Sequence, residues 1–261
     1  VHYPETQAAV EAAMQAGEIL RQGFGTHFSI TSKTFGTQNL VTEYDHRSEK
    51  IILELLKARF PASHFLAEES GETGKHASLL WIVDPLDGTV NFAHQIPCFC
   101  ISIAAAVDGE VISGVIYQPI TNELFVGEKR RGAFCNEKRL QVSKVKTLKE
   151  SLLATGFPYN TSENPKGCID HFSDILRLGI PIRRLGSAAI DLCYTAAGRY
   201  EGYFEVSLAP WDCAAGVLIL QEAGGKVTGW DQTPFDLHAY QPMLATNGLI
   251  HNALSEVLCK N

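Results

Sequence analysis

The segment Trp81-Ile82-Val83-Asp84-Pro85-Leu86-Asp87-Gly88-Thr89-Val90-Asn91-Phe92 constrains this chain more than any other stretch. Its apolar start reads as a buried strand that ends in two carboxylates three residues apart. Pro85 fixes its own φ and keeps Asp84 out of the helical region. Gly88 permits a tight turn. Both carboxylates, with the Leu86 carbonyl, can then face one point, and a hard cation such as Mg²⁺ wants such oxygen ligands. The residues after Gly88 can begin a helical turn whose free N–H groups hold a phosphate oxygen. A bare D-P-x-D-G could equally be an ordinary acidic turn. Two further acidic sites occur in corresponding contexts: Glu68-Glu69 just beyond the short apolar run Phe65-Leu66-Ala67, and Asp212 in Pro210-Trp211-Asp212-Cys213-Ala214-Ala215-Gly216. Taken alone Asp212 reads as a helix cap, and a capping Asp held in a fixed orientation can also be a ligand.

Periodicity supplies the frame. Pro4 to Phe24 predicts an amphipathic helix with Val10, Ala13, Met14, Gly17, Leu20 and Phe24 on its apolar face. Short strands follow near 27–33 and 39–42. Thr42-Glu43-Tyr44-Asp45 resembles a capping box opening a second helix, with Ile51, Ile52, Leu55 and Leu56 inward and Pro61 as its stop. Cys98–Val107 and Val111–Tyr117 read as a hairpin through Asp108-Gly109. The first half therefore predicts helices on an antiparallel sheet. Strands near 152–154, 182–185, 203–206 and 243 alternate with helices near 166–178, 187–198, 212–222 and from 249, predicting a mixed α/β half. The division 1–145 and 146–261 follows, as two halves of one compact unit.

Composition narrows the class. The chain has 261 residues, 45% hydrophobic and 20% charged, so it can bury a core. It has no run of 18 apolar residues, so no membrane span is expected, and no leader is read at Val1-His2-Tyr3-Pro4. A formal net charge of -7 argues against general nucleic-acid affinity. The basic knot Lys129-Arg130-Arg131 reads as a solvated turn. Seven cysteines without a CxxC pair predict reduced, mostly buried thiols in a cytoplasmic protein, and no zinc site. An acidic protein with an anionic substrate needs a local device against repulsion, and bound divalent cations are one.

Three blocks carry a resemblance: Ala67-Glu68-Glu69-Ser70, the Asp84–Phe92 segment, and Trp211-Asp212-Cys213-Ala214-Ala215-Gly216 with Glu222-Ala223-Gly224-Gly225 downstream. In order and spacing the chain resembles the inositol monophosphatase family, within the lithium-sensitive metal-dependent phosphatases that include fructose-1,6-bisphosphatase. The resemblance implies a layered αβαβα sandwich, commonly a homodimer. It implies two or three Mg²⁺ per site. Glu68, Asp84 and the Leu86 carbonyl would hold the first, and Asp84, Asp87 and Asp212 the second; Glu68 would reach a third through waters. Glu68 and Thr89 would orient the attacking water, with Asp45 in the proton network around Thr89. The Gly88 and Thr89 amides would hold phosphate. Gly186, Ser187, Ala188 and Glu205, with Asp87 and Asp212, would contact the polyol. Lys33, in a loop one residue longer than in animal members, would lie near a mobile hairpin, and Arg184 would contact the site or a dimer partner.

Other phosphatase chemistries fail on the residues. An aspartyl-phosphate enzyme would need its nucleophile at position 85, which is Pro. Cys168 and Cys193 lack the Gly-rich loop and Arg of a cysteine phosphatase, and no P-loop occurs. The expected reaction is Mg²⁺-dependent hydrolysis of myo-inositol 1-phosphate, inhibited by Li⁺. The alternatives are histidinol phosphate, fructose 1,6-bisphosphate or 3′-phosphoadenosine 5′-phosphate, or an added non-catalytic role as a partner of the transcription machinery.

Overall fold

The computed structural model describes residues 2–27, 29–32, 40–74, 77–237, 239 and 241–260. In chain order the elements are α1 (Pro4–Gly23), β1 (Ile30–Ser32), β2 (Leu40–Thr42), α2 (Glu43–Arg59), β3 (His64–Ala67), β4 (Gly71–Thr73), β5 (Leu79–Asp87) and α3 (Thr89–Ala93). Then come β6 (Cys100–Val107), β7 (Glu110–Gln118), β8 (Glu123–Glu128), β9 (Gly132–Cys135), β10 (Lys138–Arg139), β11 (Leu153–Thr155) and α4 (Cys168–Arg177). The chain ends with β12 (Ile182–Arg183), α5 (Ala188–Ala196), β13 (Gly202–Glu205), α6 (Pro210–Glu222), β14 (Lys226–Thr228), β15 (Met243–Thr246) and α7 (His251–Leu258).

Two main sheets organise the chain. The larger runs β10-β9-β8-β7-β6-β5-β3-β4 and the smaller β12-β11-β13-β15-β14. Strand alternation sorts side chains into three cores. Trp81, Val83, Ile101, Ile103, Val115 and Tyr117 face α1 and α2. Ile82, Cys100, Ala104, Ile116 and Phe125 face the opposite way, onto α5 and α6, where they meet Ala154, Tyr203, Met243 and Ala245 from the smaller sheet. Leu153, Phe204 and Leu244 on that sheet's outer side pack with Ile175 of α4 and Leu254 and Leu258 of α7. The order is therefore αβαβα, as the resemblance implied.

Several details depart from the sequence expectation. The larger sheet is not wholly antiparallel, because β3 and β5 run parallel. Met14 is 50% exposed and Val10 only half-buried; α1 buries the expected Ala13, Gly17 and Leu20 together with Ala8, Ala9, Ala12 and Ala16. Short side chains let α1 approach so closely that a Cβ on Gly17 would lie 2.5 Å from the Tyr117 ring. In α2 the buried stripe is Asp45, Ser48, Glu49, Ile52, Leu53 and Leu56, with Ile51 and Leu55 at its margin. The hairpin at Asp108-Gly109 has positive φ at both residues (50° and 83°), the geometry a two-residue turn requires.

The central helix α6 is admitted by two glycines. Gly114 and Gly127 are cross-strand partners on β7 and β8. A Cβ on Gly114 would stand 2.7 Å from the Ala215 carbonyl oxygen, and one on Gly127 2.9 Å from the Ile219 Cα. The gap they leave sets how far α6, and the Asp212 near its start, can sink toward the sheet. The basic turn after β8 is tied down as well. Glu222 accepts from the backbone N–H of Arg130 (2.7 Å) and of Gly132 (2.8 Å), Lys129 pairs with Glu110, and Arg131 stacks on Tyr3.

Candidate active site

Glu68 and Asp84 are brought together by the parallel pair. Ala67 of β3 is the ladder partner of Val83 of β5, and the Glu68 N–H donates to the Val83 carbonyl at 3.1 Å. The two strands thus deliver both carboxylates at the same edge. Strand β5 does not stop at Asp84. It continues through Pro85, pairing Asp84 with Ser102 and Asp87 with Cys100, so three steps oppose two on β6. That irregularity absorbs the proline, which has no N–H for the ladder, and re-aims Asp87. Asp84 Oδ1 accepts from the Leu86 N–H at 3.0 Å. Gly88 then turns the chain at φ 94° into the short α3; a Cβ there would meet the Cys98 carbonyl at 2.9 Å.

Asp87 is fixed from the start of α5. Its Oδ2 accepts from Ser187 Oγ (2.7 Å) and the Ala189 N–H (2.8 Å), with the Cys100 thiol at 3.9 Å. Ser187 caps α5 by accepting from the Ile190 N–H at 3.3 Å. Its hydroxyl is therefore spent on a carboxylate and a helix end. Asp212 is not the cap of α6. Ala209 is the cap and Asp212 the third helical residue, whose Oδ2 reaches back to the Ala209 N–H at 2.7 Å.

Helix α2 holds the floor. Asp45 Oδ2 accepts from the Thr42 N–H (2.8 Å) and hydroxyl (2.6 Å), and Asp45 Oδ1 faces Thr89 Oγ1 at 2.9 Å. Thr89 Oγ1 also lies 3.0 Å from the Leu86 carbonyl. One turn on, Ser48 donates to the Pro85 carbonyl (2.7 Å) and Glu49 accepts from the Glu69 N–H (2.9 Å). A single buried stripe thus ties down the β5 turn, the start of α3 and the loop after β3. Asn91 adds a cross-tie, donating to the carbonyls of Cys98 (2.7 Å) and Leu185 (2.8 Å). Sequence reading assigned no role to Ser48, Glu49 or Asn91. The available signal was polar residues at the i, i+3, i+4 positions of a helix face that apolar residues should fill.

Burial and mutual repulsion dominate the electrostatics. Desolvation pushes the Asp84 carboxyl well up, and Glu68, Asp87 and Asp212 add to it. Asp212 is pushed well up by burial, then by Asp87 and Glu68. Asp87 is raised to about 6, because its hydrogen bonds offset part of the desolvation. Burial likewise raises Asp45 to about 6 against its Thr42 and Thr89 bonds. The charged neighbours that act on Asp84 and Asp212 are themselves carboxylates. Buried anions without a counter-charge are costly, and a bound cation is the chemistry that relieves them. Among the described residues no group of three or more His, Cys, Asp or Glu side chains is already arranged to hold a metal ion.

These groups line a cleft of about 800 Å³. Its lining includes Glu68, Asp84, Leu86, Asp87, Gly88, Thr89 and Asp212, together with Gly186, Ser187, Ala188 and Glu205. Asp45 lies beneath Thr89, fully buried. Glu205 takes a hydrogen bond from the Tyr203 hydroxyl, and burial raises its carboxyl to about 7. Gly156 makes room for it: a Cβ there would fall 2.0 Å from Glu205 Oε2. Arg184 also lines the cleft. Lys33 lies outside the described residues.

Four acidic side chains from three separate stretches, gathered at one cleft edge, fit the three sequence blocks. A sequence model of the inositol monophosphatase family matches residues 3–261. The chain belongs to the inositol monophosphatase family. It is a phosphomonoesterase of that family. An inositol-1-monophosphatase from Synechocystis sp. is 42% identical over 253 residues, 97% of this chain and 88% of the relative. A protein named Nus factor SuhB from Haemophilus influenzae is 38% identical over 255 residues, 97% of this chain and 96% of the relative. The crystal structure of extragenic suppressor protein suhB from Bartonella henselae superposes with a TM-score of 0.92 at 39% identity, covering 98% of each chain. Family members thus carry both phosphatase and Nus-factor names at similar identity. Among the described residues no helix is long and apolar enough to cross a membrane.

Proposed function

We propose that this phosphatase hydrolyses small polyol monophosphates, with myo-inositol 1-phosphate as the leading substrate, using Mg²⁺ held by Glu68, Asp84, the Leu86 carbonyl, Asp87 and Asp212. The observation that carries the reading is the meeting of Glu68, Asp84, Asp87 and Asp212 in one cleft, Asp84 buried and Asp87 and Asp212 half-buried, with oxygen-only donor chemistry and the three aspartate carboxyls all raised. Bound Mg²⁺ would supply positive charge that acidifies water and offsets charge on the phosphate. The chain's own residues do the rest. Glu68 and Thr89 orient the attacking water, whose proton passes to Thr89 Oγ1 as the Thr89 proton moves to Asp45 Oδ1. The 2.9 Å separation of those two atoms suits that relay. The Gly88 and Thr89 amides bind phosphate oxygens from the cleft wall. Glu205, steadied by Tyr203, accepts from alcohol hydroxyls beside the Gly186–Ala188 turn.

Phosphate release should be measured with and without Mg²⁺ on inositol 1-phosphate, glycerol 2-phosphate, histidinol phosphate, fructose 1,6-bisphosphate and 3′-phosphoadenosine 5′-phosphate, each with and without Li⁺. The reading expects Mg²⁺-dependent, Li⁺-sensitive preference for the inositol ester. Asp87→Asn should abolish turnover while the fold survives; retained Mg²⁺-dependent turnover would sink the metal assignment. A second reading, a non-catalytic role as a partner of the transcription machinery, draws on the Haemophilus relative named as a Nus factor. Rescue of a deletion phenotype by Asp87→Asn protein would favour it.

A further inference from the structure

One wall of the cleft holds a carboxylate that no step above uses. Asp191 stands one turn into α5, its N–H bonded to the Ser187 carbonyl at 3.1 Å, and it is 1% exposed. Its Oδ1 is fully buried and has no hydrogen-bond partner. Three other buried side-chain atoms among the described residues share that condition, on Thr73, Trp81 and His171, but only Asp191 belongs to a residue that lines the cleft. Burial, then the Glu205 and Asp87 charges, push the Asp191 carboxyl well up; a buried carboxyl oxygen without a partner is still expensive, and a ligand hydroxyl would supply one.

The surroundings define that ligand. The charges that act on Asp191 are Glu205, Asp87 and Arg184. The Tyr203 hydroxyl, the neighbouring donor, is committed to Glu205. Arg184 acts on both Asp191 and Glu205 and lines the cleft; a Cβ on Gly186 would be 3.2 Å from its Nη1. With a cation already on this wall, the two carboxylates need neutral donors rather than a second positive charge. Asp191 comes from α5, between the sheets, and Glu205 from the end of β13, so they approach an alcohol from different elements.

We infer that Asp191 is a second alcohol-recognition residue beside Glu205, accepting a hydrogen bond from a different hydroxyl of the leaving group and selecting substrates with at least two hydroxyls on the alcohol. The inference deepens the proposed polyol specificity and rests on it. A carboxylate aimed at a hydroxyl discriminates strongly against esters that lack it, because the buried oxygen is then left unpaired.

The test compares native protein with Asp191→Asn and Asp191→Ala on whichever hydroxylated ester the native protein turns over best and on p-nitrophenyl phosphate, whose leaving group has no alcohol hydroxyl to offer. The ratio of the two kcat/KM values should fall at least tenfold in both variants, mainly through KM on the hydroxylated ester. A ratio within threefold of native overturns the inference, as does a larger loss on histidinol phosphate than on inositol 1-phosphate, which would assign Asp191 to an ammonium group. Should the variants fail to fold, native protein on monodeoxy inositol phosphates decides. Two separate hydroxyls should each matter at least tenfold, and sensitivity to no more than one overturns the assignment. If native protein prefers a nucleotide ester, the polyol reading fails, while the ratio on the best hydroxylated ester still reports on Asp191.

Discussion

Asp45 joins a helix cap to the proposed proton relay in one side chain. One oxygen closes the capping box of α2 on Thr42, and the other faces Thr89. The two roles separate under substitution. Asp45→Asn keeps an oxygen to accept from Thr42 but cannot take up a proton in the same way. It should lower kcat by about 10²–10⁴-fold, the usual range for losing a positioned base. Its cost in stability should stay near 1 kcal/mol, as for a weakened cap. Steady-state phosphate release and thermal unfolding check the two together, and a loss of stability matching the loss of rate would count against the relay. Thr89→Val should behave similarly in rate, with Thr89→Ser restoring most of it, since only the hydroxyl is needed.

At the scale of elements, α2 is half scaffold and half core. The stripe Asp45, Ser48, Glu49, Ile52, Leu53 and Leu56 is continuous, polar toward the cleft and apolar toward the sheet. Ser48 and Glu49 hold the backbone beside Asp84 and Glu68 without lining the cleft. Partners that orient ligands usually tune metal affinity by about 10–100-fold. Glu49→Gln, and Ser48→Ala to a lesser degree, should therefore raise the half-saturating Mg²⁺ concentration by about that factor while kcat at saturating Mg²⁺ moves much less. Equal loss at every Mg²⁺ concentration would contradict this. The Gly114–Gly127 pair makes a separate prediction. Gly114→Val would drive a side chain into the Ala215 backbone of α6. Overpacking against backbone should cost at least about 1–3 kcal/mol, read as a lower urea midpoint. Because α6 carries Asp212, Mg²⁺ dependence should worsen in the same variant.

Across the whole molecule, α7 is joined to the smaller sheet by a buried histidine. His251 is fully buried, with Nδ1 2.8 Å from Thr246 Oγ1 and Nε2 2.8 Å from Thr228 Oγ1. Burial, then the nearby Lys226 charge, lowers its pKa from 6.5 to about 4. The unfolded chain therefore binds this proton more tightly than the folded one. The stability that neutral His251 contributes is full above pH 6.5 and is lost as pH falls toward 4, by up to about 3 kcal/mol. Cleft carboxylates such as Asp84 and Asp212 act in the opposite sense, since their raised pKa values favour the folded state at low pH. The His251 effect is thus read as the difference between native protein and His251→Gln in urea unfolding, in chelator, at pH 7 and pH 4.5. A gap that stays constant between those pH values would refute it.

Much of the site was legible in linear sequence because its chemistry is local. Asp84, Pro85, Asp87 and Gly88 lie within five residues, and a strand ending in carboxylates announces itself by composition. Glu68 and Asp212 stood out as acidic residues beside predicted elements, but their reading as ligands came from the family resemblance. The layered order followed from the family resemblance. What sequence could not determine is whatever depends on two distant segments sharing a surface. The parallel pairing of β3 with β5, which sets Glu68 beside Asp84, depends on register between strands and leaves no periodic trace. The glycine pair under α6 is meaningful only once β7 and β8 are aligned. Glu49, Asn91 and Asp191 look like ordinary polar residues on a helix or loop, and only burial against another element shows which groups they hold and which oxygen is left unpaired. Local backbone preference and hydrophobic period can be written along a chain, but desolvation and hydrogen-bond partnership are properties of packed pairs, and tertiary structure alone decides them.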